Sequence, residues 1–166
     1  MDGVTIRTAT AADTAAIGKL WEKLVLHHNQ LNPDLPRAAE DGARLYARSL
    51  ANRLYDSHTR VYVADFDEQV IGYVLGVVVD LVPEMFEQEA AGFLADIYVD
   101  ETYRGKGVGR GLVEALVSWF QQNNLRHFEW HVASSNADGL AFWRAMNGRD
   151  IMLRMRADIP QDKQND

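Results

Sequence analysis

From Tyr103 to Gly109 the chain reads Tyr-Arg-Gly-Lys-Gly-Val-Gly, directly after a strand-like run (Phe93 to Val99) and directly before a helix-like run (Val108 to Gln121). Glycines at alternate positions remove the Cβ atoms that would hold a phosphate off the main chain, and the N–H groups at the helix start then point at whatever sits there. The segment is a candidate anion cradle, and a pyrophosphate is its natural guest. A strand feeding a helix through such a loop also commits this part of the chain to an α/β arrangement.

The rest of the sequence extends that pattern into one alternating domain, expected over residues 1–160, with 161–166 as a disordered tail. Val4 to Arg7 reads as a first strand. Asp13 is placed to cap a helix whose apolar positions Ile17, Leu20, Trp21, Leu24 and Val25 recur at helical spacing. Asn32-Pro33 and Leu35-Pro36 interrupt the chain before a second helix at about Glu40 to Tyr55. Arg60 to Phe66 and Val70 to Val79 read as strands joined across Asp67-Glu68-Gln69, and Pro83 to Ala91 as an acidic connection. Beyond the glycine loop, Val108, Leu112, Leu116 and Trp119 or Phe120 form one buried helical stripe. His127 to Val132 reads as a strand, Asn136 to Met146 as a helix and Ile151 to Ala157 as a closing strand.

Composition bounds the chemistry. No stretch is long enough to span a membrane and Met1 to Val4 opens no signal peptide, so a soluble, cytoplasmic protein is expected. The chain has no cysteine, which excludes a cysteinyl thioester on any acyl-transfer route. A formal net charge of −7 disfavours nucleic acid as a partner. The charge is also unevenly spread: Val61 to Tyr103 holds ten acidic residues and no Lys or Arg, whereas Arg104 to Arg156 holds eight basic residues against Glu114, Glu129, Asp138 and Asp150. One half suits a polyanionic cofactor and the other a cationic substrate, although charge runs also mark plain solvated faces.

The glycine spacing discriminates between anion-binding families. A Walker A loop needs Lys-Ser or Lys-Thr after its last glycine, and Gly109 is followed by Arg110-Gly111. The dinucleotide fingerprint G-x-G-x-x-G misses in both registers, meeting Arg110 from Gly105 and Leu112 from Gly107. The remaining pattern, Arg104-x-x-Gly107-x-Gly109, resembles the acetyl-coenzyme A pyrophosphate loop of the GNAT superfamily of N-acetyltransferases. The resemblance spans nearly the whole chain, from Ile6-Arg7-Thr8-Ala9-Thr10 with Asp13, through Val70-Ile71-Gly72-Tyr73 and Leu94-Ala95-Asp96-Ile97-Tyr98-Val99-Asp100, to Asn136 and Phe142-Trp143.

That resemblance implies a central, mixed, mostly antiparallel and splayed sheet flanked by about four helices. It implies acetyl-CoA as cosubstrate, its pyrophosphate wrapped by Arg104, Gly105, Lys106, Gly107, Val108 and Gly109, with Arg110 equally placed to meet a phosphate. The pantetheine arm would pair with main-chain groups of the strand through Ile97, Tyr98 and Val99, and the Ile97 N–H would polarise the thioester carbonyl, an effect worth about 3 kcal/mol. Asn136 would contact the arm or merely cap a helix, and Phe142 would pack beside it. Among carboxylates, Asp96, on one strand face with Tyr98, is the first candidate base, with Glu87 and Glu89 as alternatives that could instead bind a cationic acceptor. His28, Trp21 and Tyr46 would line the acceptor pocket.

The sequence departs from the family where a tyrosine usually protonates the departing thiolate: Trp143 stands there, and Asn147-Gly148 replaces Gly-Phe. Indole N–H is not a practical acid. His127-x-Glu129-x-His131 puts three possible zinc ligands on one strand face, but the apolar Phe128, Trp130 and Val132 make it equally a half-exposed strand, and no metal is expected. The expected activity is transfer of acetyl from acetyl-CoA to a primary amine of a small cationic acceptor by direct attack, without a covalent acyl-enzyme. A CoA-sensing module, a protein-lysine or N-terminal acetyltransferase and a dinucleotide-binding protein are the alternatives. The family resemblance also allows a homodimer.

Overall fold

The computed structural model describes residues 3–80, 85, 87 and 89–159. Five strands form one sheet in the order β1 (Val4–Thr8), β2 (Thr59–Phe66), β3 (Gln69–Asp80), β4 (Ala90–Val99) and β5 (Phe128–Glu129). The first four pair antiparallel, and β5 lies parallel to β4. Four helices flank them: α1 (Thr14–Leu31), α2 (Gly42–Arg53), α3 (Val108–Gln122) and α4 (Ala137–Ala145). The expected tail, residues 161–166, lies outside the described residues, as does part of the expected connection from Pro83 to Ala91.

Side-chain alternation divides the sheet residues between two cores. Val61, Val63, Tyr73, Leu75 and Tyr98 point towards α1 and α2, against Ile17, Leu20, Leu24 and Leu50. Ala64, Ile71, Val74, Leu94 and Val99 point the other way, against Leu112, Val113, Leu116, Trp119 and Phe120 of α3 and Trp143 of α4. Close approach of α3 depends on a missing side chain in β3: a Cβ built on Gly76 would lie 2.4 Å from Leu116 Cδ1. The sheet is therefore buried on both faces along β3, whose residues Ile71 to Gly76 are all buried.

Four details correct the sequence reading. Asp13 stands at the N-cap of α1 as expected, but its side chain makes no capping bond; the carboxylate turns back to accept from the Thr10 N–H (2.7 Å) and from Arg7 Nη1 and Nη2 (2.8 Å each). Arg7 also reaches Asp65 Oδ2 at 2.8 Å, so one guanidinium ties β1, the turn before α1 and β2 together. The hairpin between β2 and β3 turns on two residues, Asp67 and Glu68, both at positive φ (49° and 63°), as a tight right-twisted hairpin requires. Only Phe128 and Glu129 of the expected strand from His127 to Val132 pair with β4. Finally, the closing strand at Ile151 to Ala157 does not form. Those residues have no regular structure and are exposed, with Met152 at 88% and Met155 at 83%. The alternation of apolar odd and mostly polar even positions marks a face that wants burial, but β5 is too short to offer it a ladder.

Candidate active site

The site starts from an irregularity in β4. Leu75 pairs with Asp96 and Gly76 with Leu94, so Ala95 is an extra, exposed residue, a β-bulge. Before the bulge, the Gly92 N–H donates across to the His127 carbonyl beside β5 (3.1 Å). Beyond it, the Asp100 N–H donates in the opposite direction, to the Ile71 carbonyl of β3 (2.8 Å). Since strand groups alternate in direction, the N–H and C=O of Ile97 and Val99 point away from β3. Pairing between β4 and β5 ends at Phe93 and Glu129, so those groups have no strand opposite them.

Divergence of β4 from the chain after β5 opens a cleft of about 610 Å³, in the range of ligand sites. Leu94 to Val99 form one wall, and His131, Val132, Asn136, Phe142 and Trp143 the other. Arg104, Gly105, Gly107, Gly109 and Arg110 line one part of it, and Leu24, His27 and His28 of α1 another.

The glycine loop suits an anion. Gly105 and Gly107 have φ of +69° and +86°, a conformation that L side chains rarely adopt, and a Cβ built on either meets nothing within 4 Å. Gly107 is the N-cap of α3, and the helix ladder begins with the Gly111 N–H donating to the Gly107 carbonyl. The amides before Gly111 are therefore those that a helix start leaves for a ligand. Gly109 differs from these: a Cβ there would make only an ordinary 3.7 Å contact with the Phe142 ring, so the loop passes beside that side chain without requiring a glycine. These residues fit the diphosphate and arm of coenzyme A.

The cations around the loop have separate tasks. Arg110 lines the cleft. Arg104 Nε donates to the Val99 carbonyl (2.9 Å), and its guanidinium lies over the Tyr98 ring at 5.0 Å. Lys106, expected at the phosphate, instead donates to the Thr102 carbonyl (2.8 Å) and is absent from the cleft lining. Val108 is buried in the core as the first residue of α3.

Asp96 lines the cleft and is half-buried; its Oδ2 accepts from the Tyr46 hydroxyl at 2.8 Å. Burial pushes its pKa up, opposed by the Tyr46 hydrogen bond and the Arg53 charge. Burial, and then the His27 charge, push the His28 imidazole down. Burial raises the Tyr98 phenol. Glu89 Oε1 lies 3.7 Å from Arg126 and Glu87 is exposed, and neither lines the cleft. Nor do Trp21 and Tyr46, which stack on each other at 4.9 Å instead of forming a pocket wall. Among the described residues no three His, Asp or Glu side chains converge as a metal site.

Asn136 both lines the cleft and caps α4, its Oδ1 accepting from the Gly139 N–H at 2.9 Å. Trp143 is 7% exposed and packs against Trp130 at 4.4 Å, so the indole that replaces the usual tyrosine is a wall of the cleft. Two carboxylates of the acidic run are neutralised locally, Asp65 by Arg7 and Asp100 by Lys23 (both 2.8 Å or less). Asp96 and Asp138 are the carboxylates that line the cleft. The sequence reading gave no place in this cleft to Leu24, His27, Leu94, Ala95, His131, Val132, Asp138 and Gly139. His27 was within reach, being one residue from His28 on the same helical turn.

The profile of the acetyltransferase (GNAT) family matches residues 24–148, well over half of the chain. No curated protein sequence matches. Solved structures share the fold: a point mutant of the BH1408 protein from Bacillus halodurans superposes with a TM-score of 0.84 at 24% identity, over 94% of this chain and 99% of that one. A "predicted acetyltransferase" from Clostridium acetobutylicum, solved with acetyl-CoA, gives 0.75 at 15% identity, over 93% and 96%. Aminoglycoside N-acetyltransferase AAC(6')-Iy in complex with CoA gives 0.68 at 19%, over 93% and 95%. The family profile and the cleft between β4 and the glycine loop agree: the chain belongs to the acetyltransferase (GNAT) family and is an acetyl-CoA-dependent N-acetyltransferase.

Proposed function

We propose that the protein transfers acetyl from acetyl-CoA to the primary amine of a small cationic acceptor, both substrates being bound together. The observation that carries this reading is the continuity of one cleft from the amides of Gly105 to Gly109, past the outward main-chain groups of Val99 and Ile97, to the carboxyl of Asp96. When bound, the cosubstrate supplies an activated acyl thioester.

The chain's own residues supply the rest. Loop amides and Arg110 hold the diphosphate. The outward groups of Ile97 and the Val99 N–H align the arm, the Val99 carbonyl being held by Arg104, and the Ile97 N–H faces the acyl oxygen, where charge develops. A primary ammonium with pKa ~10.4 must lose a proton at neutral pH, at a cost of about 4.6 kcal/mol unless a base accepts it. Asp96 accepts that proton through the oxygen not bonded to Tyr46. Its half-buried position favours this, because burial makes the carboxylate more basic. Trp143 donates no proton to the leaving thiolate, which with an ordinary thiol pKa of about 8.5 needs little assistance. The Asp96 carboxylate in the cleft supports a cationic acceptor.

The test is a screen of polyamines, aminoglycosides, amino acid derivatives and lysine peptides with acetyl-CoA, following free thiol with a thiol-reactive dye. The cysteine-free chain adds no background. Amine-dependent thiol release from a small cation supports the reading. Release only with peptides moves it to a protein acetyltransferase, and CoA binding without release with any amine leaves a binding module. We also propose homodimerisation through residues 151–159, where Ile151, Leu153 and Met155 are exposed.

A further inference from the structure

Asp96 is held from behind by a side chain 50 residues away in sequence, Tyr46 of α2. The phenol ring is itself fixed by two aromatic neighbours. Its ring stacks on Trp21 of α1 at 4.9 Å with planes 12° apart, and meets Tyr73 of β3 edge-on at 6.3 Å. Trp21 in turn fits only because position 42, at the start of α2, has no side chain: a Cβ on Gly42 would lie 2.9 Å from the indole. The Tyr46 hydroxyl is therefore held in place, and it occupies Asp96 Oδ2 from a residue that does not itself line the cleft. Oδ1 has no side-chain donor among the described residues.

We infer that Tyr46 is the positioning residue for Asp96: the α2 phenol fixes one carboxylate oxygen, aims the other into the cleft, and favours the ionised form that accepts the amine proton. This rests on the reading of Asp96 as the base. The surroundings agree with such a role. Tyr73 is fully buried and burial keeps it neutral, so it places no competing charge beneath the carboxyl. Tyr46 is kept neutral in the same way and remains a donor. Arg53, at the end of α2, adds a favourable field from the same helix. From α1, His28 lines the cleft and is held towards its neutral form; Tyr98, two residues along β4, is also neutral. Tyr46 is thus the direct hydrogen-bond donor that opposes the effect of burial on Asp96. Neutral donors to a carboxylate favour the charged form.

The experiment uses Tyr46→Phe, which keeps the ring stacked on Trp21 and removes only the donor. Two quantities are measured on wild type and variant: the Asp96 carboxyl titration by carbon-detected NMR, assigned with Asp96→Asn, and the pH profile of kcat/KM with a saturating acetyl donor. The carboxyl titration should move up by about one pH unit, and the acid limb of the profile should move with it while the KM for acetyl-CoA stays put. Leu or Ala at position 46 would not separate these effects, because they also remove the stack. A titration that moves under an unchanged acid limb upholds the coupling of Tyr46 to Asp96 and overturns Asp96 as the base. An Asp96 titration that is the same in both proteins overturns the inference, whatever the rates do.

Discussion

Gly107→Ala separates folding from donor binding. Gly107 adopts φ +86° and ψ −4° as the N-cap of α3, and a methyl there meets no protein atom within 4 Å. The folded chain therefore bears only the left-handed backbone strain, about 1–2 kcal/mol. In a domain of this size that lowers the melting temperature by about 2–8 °C. The same methyl projects into the space in which the diphosphate would approach the loop. Losing one charge-assisted N–H to phosphate hydrogen bond costs ~1.5–3 kcal/mol, so the Kd for CoA should rise about 10- to 150-fold. Isothermal titration with CoA, beside a melting curve without ligand, measures both effects. A CoA affinity within about twofold of wild type, in a variant that melts as a folded protein, would refute the anion-cradle argument.

Other residues carry sharper contrasts. Arg110→Ala should weaken CoA binding at least several-fold, whereas Lys106→Ala should change it less than about twofold, because Lys106 is occupied with the Thr102 carbonyl; equal losses in titration calorimetry would contradict the division of labour. Asp13 is 7% exposed and held down to about 2, chiefly by its hydrogen bonds to Arg7. A depressed carboxylate pKa contributes stability above its unfolded value and loses it as pH falls through the folded one, so Asp13 should add about 2 kcal/mol at neutral pH, lost between about pH 4 and pH 2. Denaturant melts of Asp13→Asn at pH 7 and pH 3 should show the difference shrinking at the lower pH. Deleting residues 151–166 should convert a dimer to a monomer in sedimentation without lowering CoA affinity; a wild-type protein that is already monomeric at micromolar concentration contradicts the proposed contact.

Features decided within a few residues were legible in the sequence. The positive φ of Gly105 and Gly107 follows from a glycine-rich turn at a helix start, and the stripe on α3 follows from helical spacing; both Trp119 and Phe120 proved buried. Interactions that depend on distant partners were not. Asp13 reads as a capping side chain until Arg7 and Asp65 are brought beside it by the pairing of β1 with β2. Tyr46 reads as a pocket wall until α2 is laid over β4, where it becomes the donor to Asp96. Ala95 gives no sign of its bulge, since a small residue continues the strand pattern as well as it interrupts it. The alternation from Ile151 to Ile159 reads as a strand, but none forms there, since periodicity does not say which edge would cover it.

The central claim is tested most directly by a crystal structure of the protein with acetyl-CoA. The account predicts diphosphate oxygens within hydrogen-bond distance of the amides from Gly105 to Gly109, with the thioester carbonyl facing the Ile97 N–H and the acetyl group beside Asp96. Density for the cosubstrate elsewhere on the protein, with that loop making no contact to phosphate, would contradict it.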